Sequence, residues 1–167
     1  MPKNKRSWEP VAVAPPALSN NQWLGLGIIG TILLAAGILQ LFNFADFANN
    51  FAIAGINPPR LWAALVILGE LWGAASFFKV RLSVAFRAVS NFWALAVGIF
   101  WFYASVHIAA INSEVVVYPS NMGSNYFGHF LSQSSGWLTI IEAAILLLAV
   151  LYALNISRRK PAKKKKK

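Results

Sequence analysis

Long apolar runs separated by short polar intervals organise this chain. Four stand out: QWLGLGIIGTILLAAGILQLF (residues 22–42), LWAALVILGELWGAASFFKV (61–80), AVSNFWALAVGIFWFYASVHIAAIN (88–112) and GWLTIIEAAILLLAVLYALNI (136–156). Helices of about 20 residues cross a hydrocarbon core of roughly 30 Å, so each run predicts a spanning helix, and the third is long enough to tilt. Between the first two runs lies FNFADFANNFAIAGINPPR. Its Phe44, Phe47, Ala48 and Phe51 recur at helical spacing, with Asn43, Asp46, Asn49 and Asn50 on other faces, which predicts a short helix lying in the membrane interface. Gly55 ends it and Pro58-Pro59 turn the chain into the second span. This segment is either an ordinary loop with embedded aromatics or a lid over the outer mouth of the bundle. The loop SEVVVYPSNMGSNYFGHFLSQSS between the third and fourth runs starts with an extended pattern and continues into turn residues. The fold class that results is all-α: an integral membrane four-helix bundle spanning residues 22–156, after a Pro/Ala-rich segment at 1–21 and before a basic tail at 157–167.

Composition agrees with this pattern and narrows the chemistry. Of 167 residues, 57% are hydrophobic and only 12% charged, far from the balance of a soluble domain. There is no cysteine. Disulfides, thiol relays, iron–sulfur clusters and cysteine-ligated metals are therefore excluded for this chain. The N-terminal stretch is too polar and proline-rich for a cleaved signal peptide, so the first span is expected to serve as the insertion signal.

The net charge of +10 is segregated rather than spread. Lys3, Lys5 and Arg6 precede the first span, Lys79, Arg81 and Arg87 lie between the second and third, and Arg158, Arg159, Lys160, Lys163, Lys164, Lys165, Lys166 and Lys167 follow the fourth; only Arg60 falls on the other side. The positive-inside rule then puts both termini in the cytoplasm of a cell whose inner membrane holds the protein. The tail Arg158–Lys167 abuts a membrane helix, which favours an anchor on anionic headgroups over a nucleic-acid arm; each basic residue near the surface contributes ~1 kcal/mol. Asn155-Ile156-Ser157 matches a glycosylation pattern but sits at the cytoplasmic end and is discounted.

Four polar side chains interrupt the spans: Gln40, Glu70, His107 and Glu142. On this topology Glu70 lies about 14 Å from the outer end of its helix, Glu142 about 9 Å and His107 about 8 Å, while Gln40 belongs to the last turn of the first span. All four fall in the outer half, which suggests a polar cavity opening outward with Glu70 at its floor. A carboxylate at that depth costs roughly 3 kcal/mol on insertion scales and marks a ligand, ion or proton site by default. Near the interface, Gln40 and Glu142 read instead as helix-joining hydrogen bonders, worth about 0.6 kcal/mol each. Gly69 and Gly73 flank Glu70, and Ala74 shares its face, so a helix or a flat ligand can approach closely there. Trp72 is a candidate border for a quinone-sized slot; Trp62, Trp93, Trp101 and Trp137 read as core or interface aromatics. His129 has no second ligand near it in sequence and reads as a surface residue.

The segments AAGILQLFNFADFANNFAIAGINPP and ALVILGELWGAASFFKVRLSVAFRAV resemble the DoxX family and its MauE-like relatives, four-helix bacterial membrane proteins with a phenylalanine-bearing loop and Glu-Leu-x-Gly in the second helix. The resemblance covers about residues 25–110 and carries over to Glu70, Gly69 and Gly73, with Gly55 and Pro58 in the loop. It implies a role in quinone-dependent respiration, as in thiosulfate:quinone oxidoreductase, or in the assembly of redox complexes. Two departures bear on this. Gln40 stands where relatives often have a basic residue, and the cysteines needed for MauE-like or vitamin K epoxide reductase-like thiol chemistry are missing. Only His107 lies within a span, which gives no pair of axial haem ligands. The expectation is a non-catalytic or accessory protein, without metal or intrinsic cofactor, that meets a quinone or other lipophilic ligand, a membrane redox partner or a second copy of itself at Glu70. A proton-coupled transporter using Glu70, His107 and Glu142, and a purely structural scaffold subunit, are the alternatives.

Overall fold

A computed structural model describes residues 15–114, 123–124, 133–134 and 137–157, the side chains of 111–114, 123–124 and 133–134 excepted. The basic tail from Arg158 to Lys167 and His129 lie outside the described residues. Among the described residues five α-helices follow one another: α1 (Asn20–Phe42), α2 (Phe44–Ile53), α3 (Pro59–Ala74, extended by a 3-10 turn Ala75–Phe77), α4 (Val84–Glu114) and α5 (Trp137–Ser157). Four of them, counting α3 with its 3-10 turn and α4 as far as Ala110, are long and apolar enough to cross a membrane. Between α4 and α5, Gly123–Ser124 pairs antiparallel with Gln133–Ser134 as a short ladder, β1 with β2.

The helix ends follow local chemistry. Ser19 and Gln22 form a capping box, Ser19 Oγ accepting from Gln22 N at 3.3 Å and Gln22 Oε1 from Ser19 N at 3.0 Å, so α1 begins two residues before its apolar run. Pro59 takes the first helical position of α3, where its missing N–H costs nothing. That helix stops at Phe77, because Phe78 is extended, and does not reach Val80 as the apolar run suggests. Ser83 Oγ accepts from Phe86 N at 3.1 Å and draws the start of α4 back from residue 88 to Val84.

The core is a set of facing stripes. On α1, Leu26, Ile29, Gly30, Leu33, Ala36, Gly37 and Gln40 are buried at three- and four-residue intervals, while Leu24, Ile28, Leu41 and Phe42 point outward. The stripe packs on α3, which in turn packs on α4, and α4 on α5. The short helix between the first two spans forms as the phenylalanine spacing predicts. It does not rest its apolar face on the membrane surface: Phe47, Ala48 and Phe51 are buried, and α2 packs chiefly on α3. After it, Gly55 adopts φ +72°, the left-handed region that a Cβ disfavours. Gly55→Ala is expected to cost about 1 kcal/mol although nothing lies within 4 Å of the added atom; thermal melting in detergent, compared with Gly25→Ala, checks this.

Candidate functional site

Glycines set the spacing that builds the site. A Cβ at Gly37 on α1 would lie 3.3 Å from Glu70 Cβ and 3.0 Å from the Leu71 side chain. On α3, a Cβ at Gly69 would meet Val97 Cγ2 at 2.6 Å, and one at Gly73 would meet the Ala94 backbone nitrogen at 2.8 Å. The two glycines therefore serve internal packing, bringing α3 onto α4 rather than onto a second molecule, while α1 closes from the other side. Ala74, 1% exposed, faces α1 beside Gly30.

Within this close contact three side chains meet. Gln40 Nε2 donates to Glu70 Oε1 at 3.2 Å, and Trp101 Nε1 donates to the same oxygen at 2.7 Å. Gln40, Glu70 and Trp101 are 0%, 1% and 4% exposed. Both donors are neutral. Glu70 Oε2 is buried and has no hydrogen-bond partner among the described residues. One carboxylate oxygen is thus shared by two helices while the other remains an open acceptor, a state that costs free energy unless a water, proton or ligand completes it.

The depth of this arrangement follows from two contacts. Gly69 lies against Val97, the midpoint of the apolar span Val84–Ala110, and Gly98 lies against Leu147, the midpoint of Trp137–Ser157. Glu70, next to Gly69, is therefore at mid-length of the bundle. Gln40 reaches the same level, which corrects its expected place near the interface. The reason is that α1 ends at Phe42, far short of the beginning of α3, and α2 fills the remaining height.

That broken helix also closes the site. Phe47 packs 4.8 Å from Phe51 and 6.0 Å from Trp101, ring centre to ring centre; Phe51 meets Phe100 edge-on at 5.5 Å, and Trp62 stacks on Phe100 at 6.0 Å. Aromatic rings thereby cover the indole that holds Glu70. Glu70 is enclosed and is not the floor of an open polar cavity.

The other expected partners lie elsewhere. His107 is half-buried and stacks on the exposed Tyr103 at 5.8 Å, one and a half turns beyond Trp101. Glu142 is exposed on the outer surface of α5. The expected convergence of four polar residues reduces to Gln40 and Glu70, because equal depth on two helices does not put side chains on facing sides. Trp72 is also displaced from the expected slot: 42% exposed, it stacks on Phe86 at 5.6 Å, away from the carboxyl. Trp101, grouped in sequence with the other aromatics, is the residue that sequence reasoning missed. Its signal is general, since an indole N–H buried in a span needs an acceptor and few side chains in these spans offer one. Among the described residues, no group of three His, Cys, Asp or Glu side chains is placed to hold a metal ion.

No curated protein and no solved structure gives a significant match to the chain. A family model does: DoxX matches residues 27–104, from the first turns of α1 through α2 and α3 to Ala104 on α4, and so includes Gln40, Glu70 and Trp101. The match covers 78 of the 167 residues and, with the apolar spans, makes this a DoxX-like membrane protein over that segment.

Proposed function

We propose that the protein is a non-catalytic accessory component of a membrane redox system, or of its assembly, that binds a lipophilic ligand of the quinone class at Glu70. The observation that carries this reading is the enclosed mid-span carboxyl with Oε1 held by Gln40 and Trp101 and Oε2 without a partner. An acceptor fixed in position in a low-dielectric interior suits a ligand hydroxyl, such as that of a reduced quinone, and the rings of Phe47 and Trp101 offer apolar surface beside it. The ligand enters by displacement of α2, the shortest of the described helices. The family resemblance supports the redox setting, and the basic residues flanking the spans support a bacterial inner-membrane location with both termini in the cytoplasm. Against a proton-coupled transporter, the placement of His107 and Glu142 gives Glu70 no relay; against a pure scaffold, Oε2 would be expected to have an internal partner.

Glu70→Gln tests this directly. Glutamine keeps an oxygen for both donors and replaces the free acceptor by an amide N–H₂. In protein reconstituted in nanodiscs and titrated with a short-chain ubiquinol, the variant is expected to melt within a few degrees of the parent and to bind roughly tenfold more weakly, the worth of one hydrogen bond in a buried site. Equal affinity of parent and variant, or no saturable binding by the parent, overturns the proposal.

A further inference from the structure

A second group of buried, unmatched polar atoms lies at the opposite end of the bundle from α2, where α3 turns into α4. Arg87 Nη2 donates to the Val80 carbonyl at 3.2 Å, which holds the guanidinium across that turn. Its Nη1 is buried and has no partner among the described residues. One turn further along the same face, Ser90 is 0% exposed and its hydroxyl is likewise unmatched; Asn91 Oδ1, next to it, is a third such atom. Two unmet donors, one of them cationic, thus stand beside one unmet acceptor. Chance loss of a single bond would not assemble such a set, because buried polar atoms are matched in the great majority of cases.

The depth of the group identifies what it fits. Arg87 is ten residues before Val97, the midpoint of its span, and so about 15 Å from mid-bundle at 1.5 Å per residue. Half of a hydrocarbon core of roughly 30 Å is the same distance, so the Arg87 backbone stands at the edge of that core and its long side chain is within reach of the phosphates just beyond. Arg87 as a whole is only half-buried, so its side chain borders the bilayer from which a headgroup would come. A planar guanidinium with a free N–H₂ edge is matched to phosphate oxygens, and a serine hydroxyl one turn away adds a second donor. The first turn of α4, which carries the positive end of the helix dipole, favours the same charge. The Asn91 oxygen would in turn accept from a headgroup hydroxyl. We infer that Arg87, Ser90 and Asn91 form a binding site for the phosphate and hydroxyl of an anionic lipid headgroup of the phosphoglycerol type, built into the bundle and distinct from the Glu70 site. The site differs in kind from the basic tail in sequence after Ser157, which attracts anionic lipid by charge alone.

The test is native mass spectrometry of the full chain in mild detergent, titrated separately with phosphatidylglycerol, phosphatidylcholine and inorganic phosphate. The parent is expected to retain one phosphatidylglycerol at least tenfold more tightly than phosphatidylcholine. Arg87→Gln is expected to abolish that preference for the tightest lipid, and Ser90→Ala to weaken retention roughly threefold. Arg87→Lys preserves the charge but not the fork, and is expected to fall between parent and Arg87→Gln; it keeps the test decisive if the glutamine variant does not fold. A parent in which Lys163 to Lys167 are all glutamine should retain the tight lipid. Equal retention by parent, Arg87→Gln and Arg87→Lys overturns the inference, as does loss of the tight lipid on removing the tail charges alone. Displacement of the lipid by millimolar inorganic phosphate overturns the assignment to a lipid.

Discussion

Truncation of Glu70 to alanine is expected to destabilise the protein by about 2–4 kcal/mol. The change removes the acceptor shared by Gln40 and Trp101 and leaves a void at mid-span. A hydrogen bond between membrane helices averages about 0.6 kcal/mol and reaches about 1.7 kcal/mol, so the two bonds account for roughly 1–3 kcal/mol. The void adds to this, as large-to-small changes in packed cores do. Relief from burying a polar group whose second oxygen has no partner subtracts from it. Unfolding in mixed micelles with increasing denaturing detergent measures the sum. A value within about 0.5 kcal/mol of zero would show that the carboxyl contributes nothing to joining α1, α3 and α4. A cycle with Trp101→Phe isolates the 2.7 Å bond, and the coupling between the two changes is expected near the upper end of the interhelical range. Glu70→Gln, which keeps an acceptor, should lose far less stability while losing ligand, so that stability and function separate on one residue.

Gly73→Ala is expected to come second, at about 1–2 kcal/mol, and to have the opposite sign from Gly25→Ala. An alanine Cβ at position 73 would lie 2.8 Å, 2.9 Å and 3.1 Å from the nitrogen, Cα and Cβ of Ala94. Two of these atoms are backbone and cannot rotate aside, so α3 and α4 must separate, and overpacking of this kind costs about 1–3 kcal/mol. The gain in helix propensity, close to 1 kcal/mol, offsets only part of it. At Gly25 nothing lies within 4 Å of the added atom, and the propensity gain stands alone. Gly69→Ala is expected to fall between them, because the atoms in its way belong to the Val97 and Trp93 side chains, which can yield. The same detergent unfolding curves check all three; a Gly73→Ala protein as stable as Gly25→Ala would mean that this contact does not set the spacing of the two helices.

Much of the molecule is legible in the sequence. A bilayer offers no water to an unpaired backbone, so an apolar run of some 20 residues has essentially one structure available to it, and the four spans follow from composition and length. The short helix carrying Phe47 and Phe51 is legible from its 3.6-residue period, and the depth of Glu70 from its position along the second run. Helix ends shifted where capping residues, Ser19 and Ser83, act outside the apolar runs.

Sequence by itself determined the number of spans, the helix between the first two and Glu70 as the deepest of the polar residues within them, because each of these depends on hydrophobicity, period or position along the chain; the resemblance to DoxX proteins rests on motifs around that residue. Tertiary structure decided what that residue meets. Depth can be counted along a helix, but the rotation of one helix about its axis relative to the next cannot, and it is this rotation that turns Gln40 and Trp101 toward Glu70 and leaves His107, Glu142 and Trp72 on other faces. Likewise the first apolar run ends at Phe42, as α1 does, but that this end lies half a membrane early by comparison with α3 cannot be read from the run's length. It is fixed by α2 folding against α3, which places aromatic rings where an open cavity was expected.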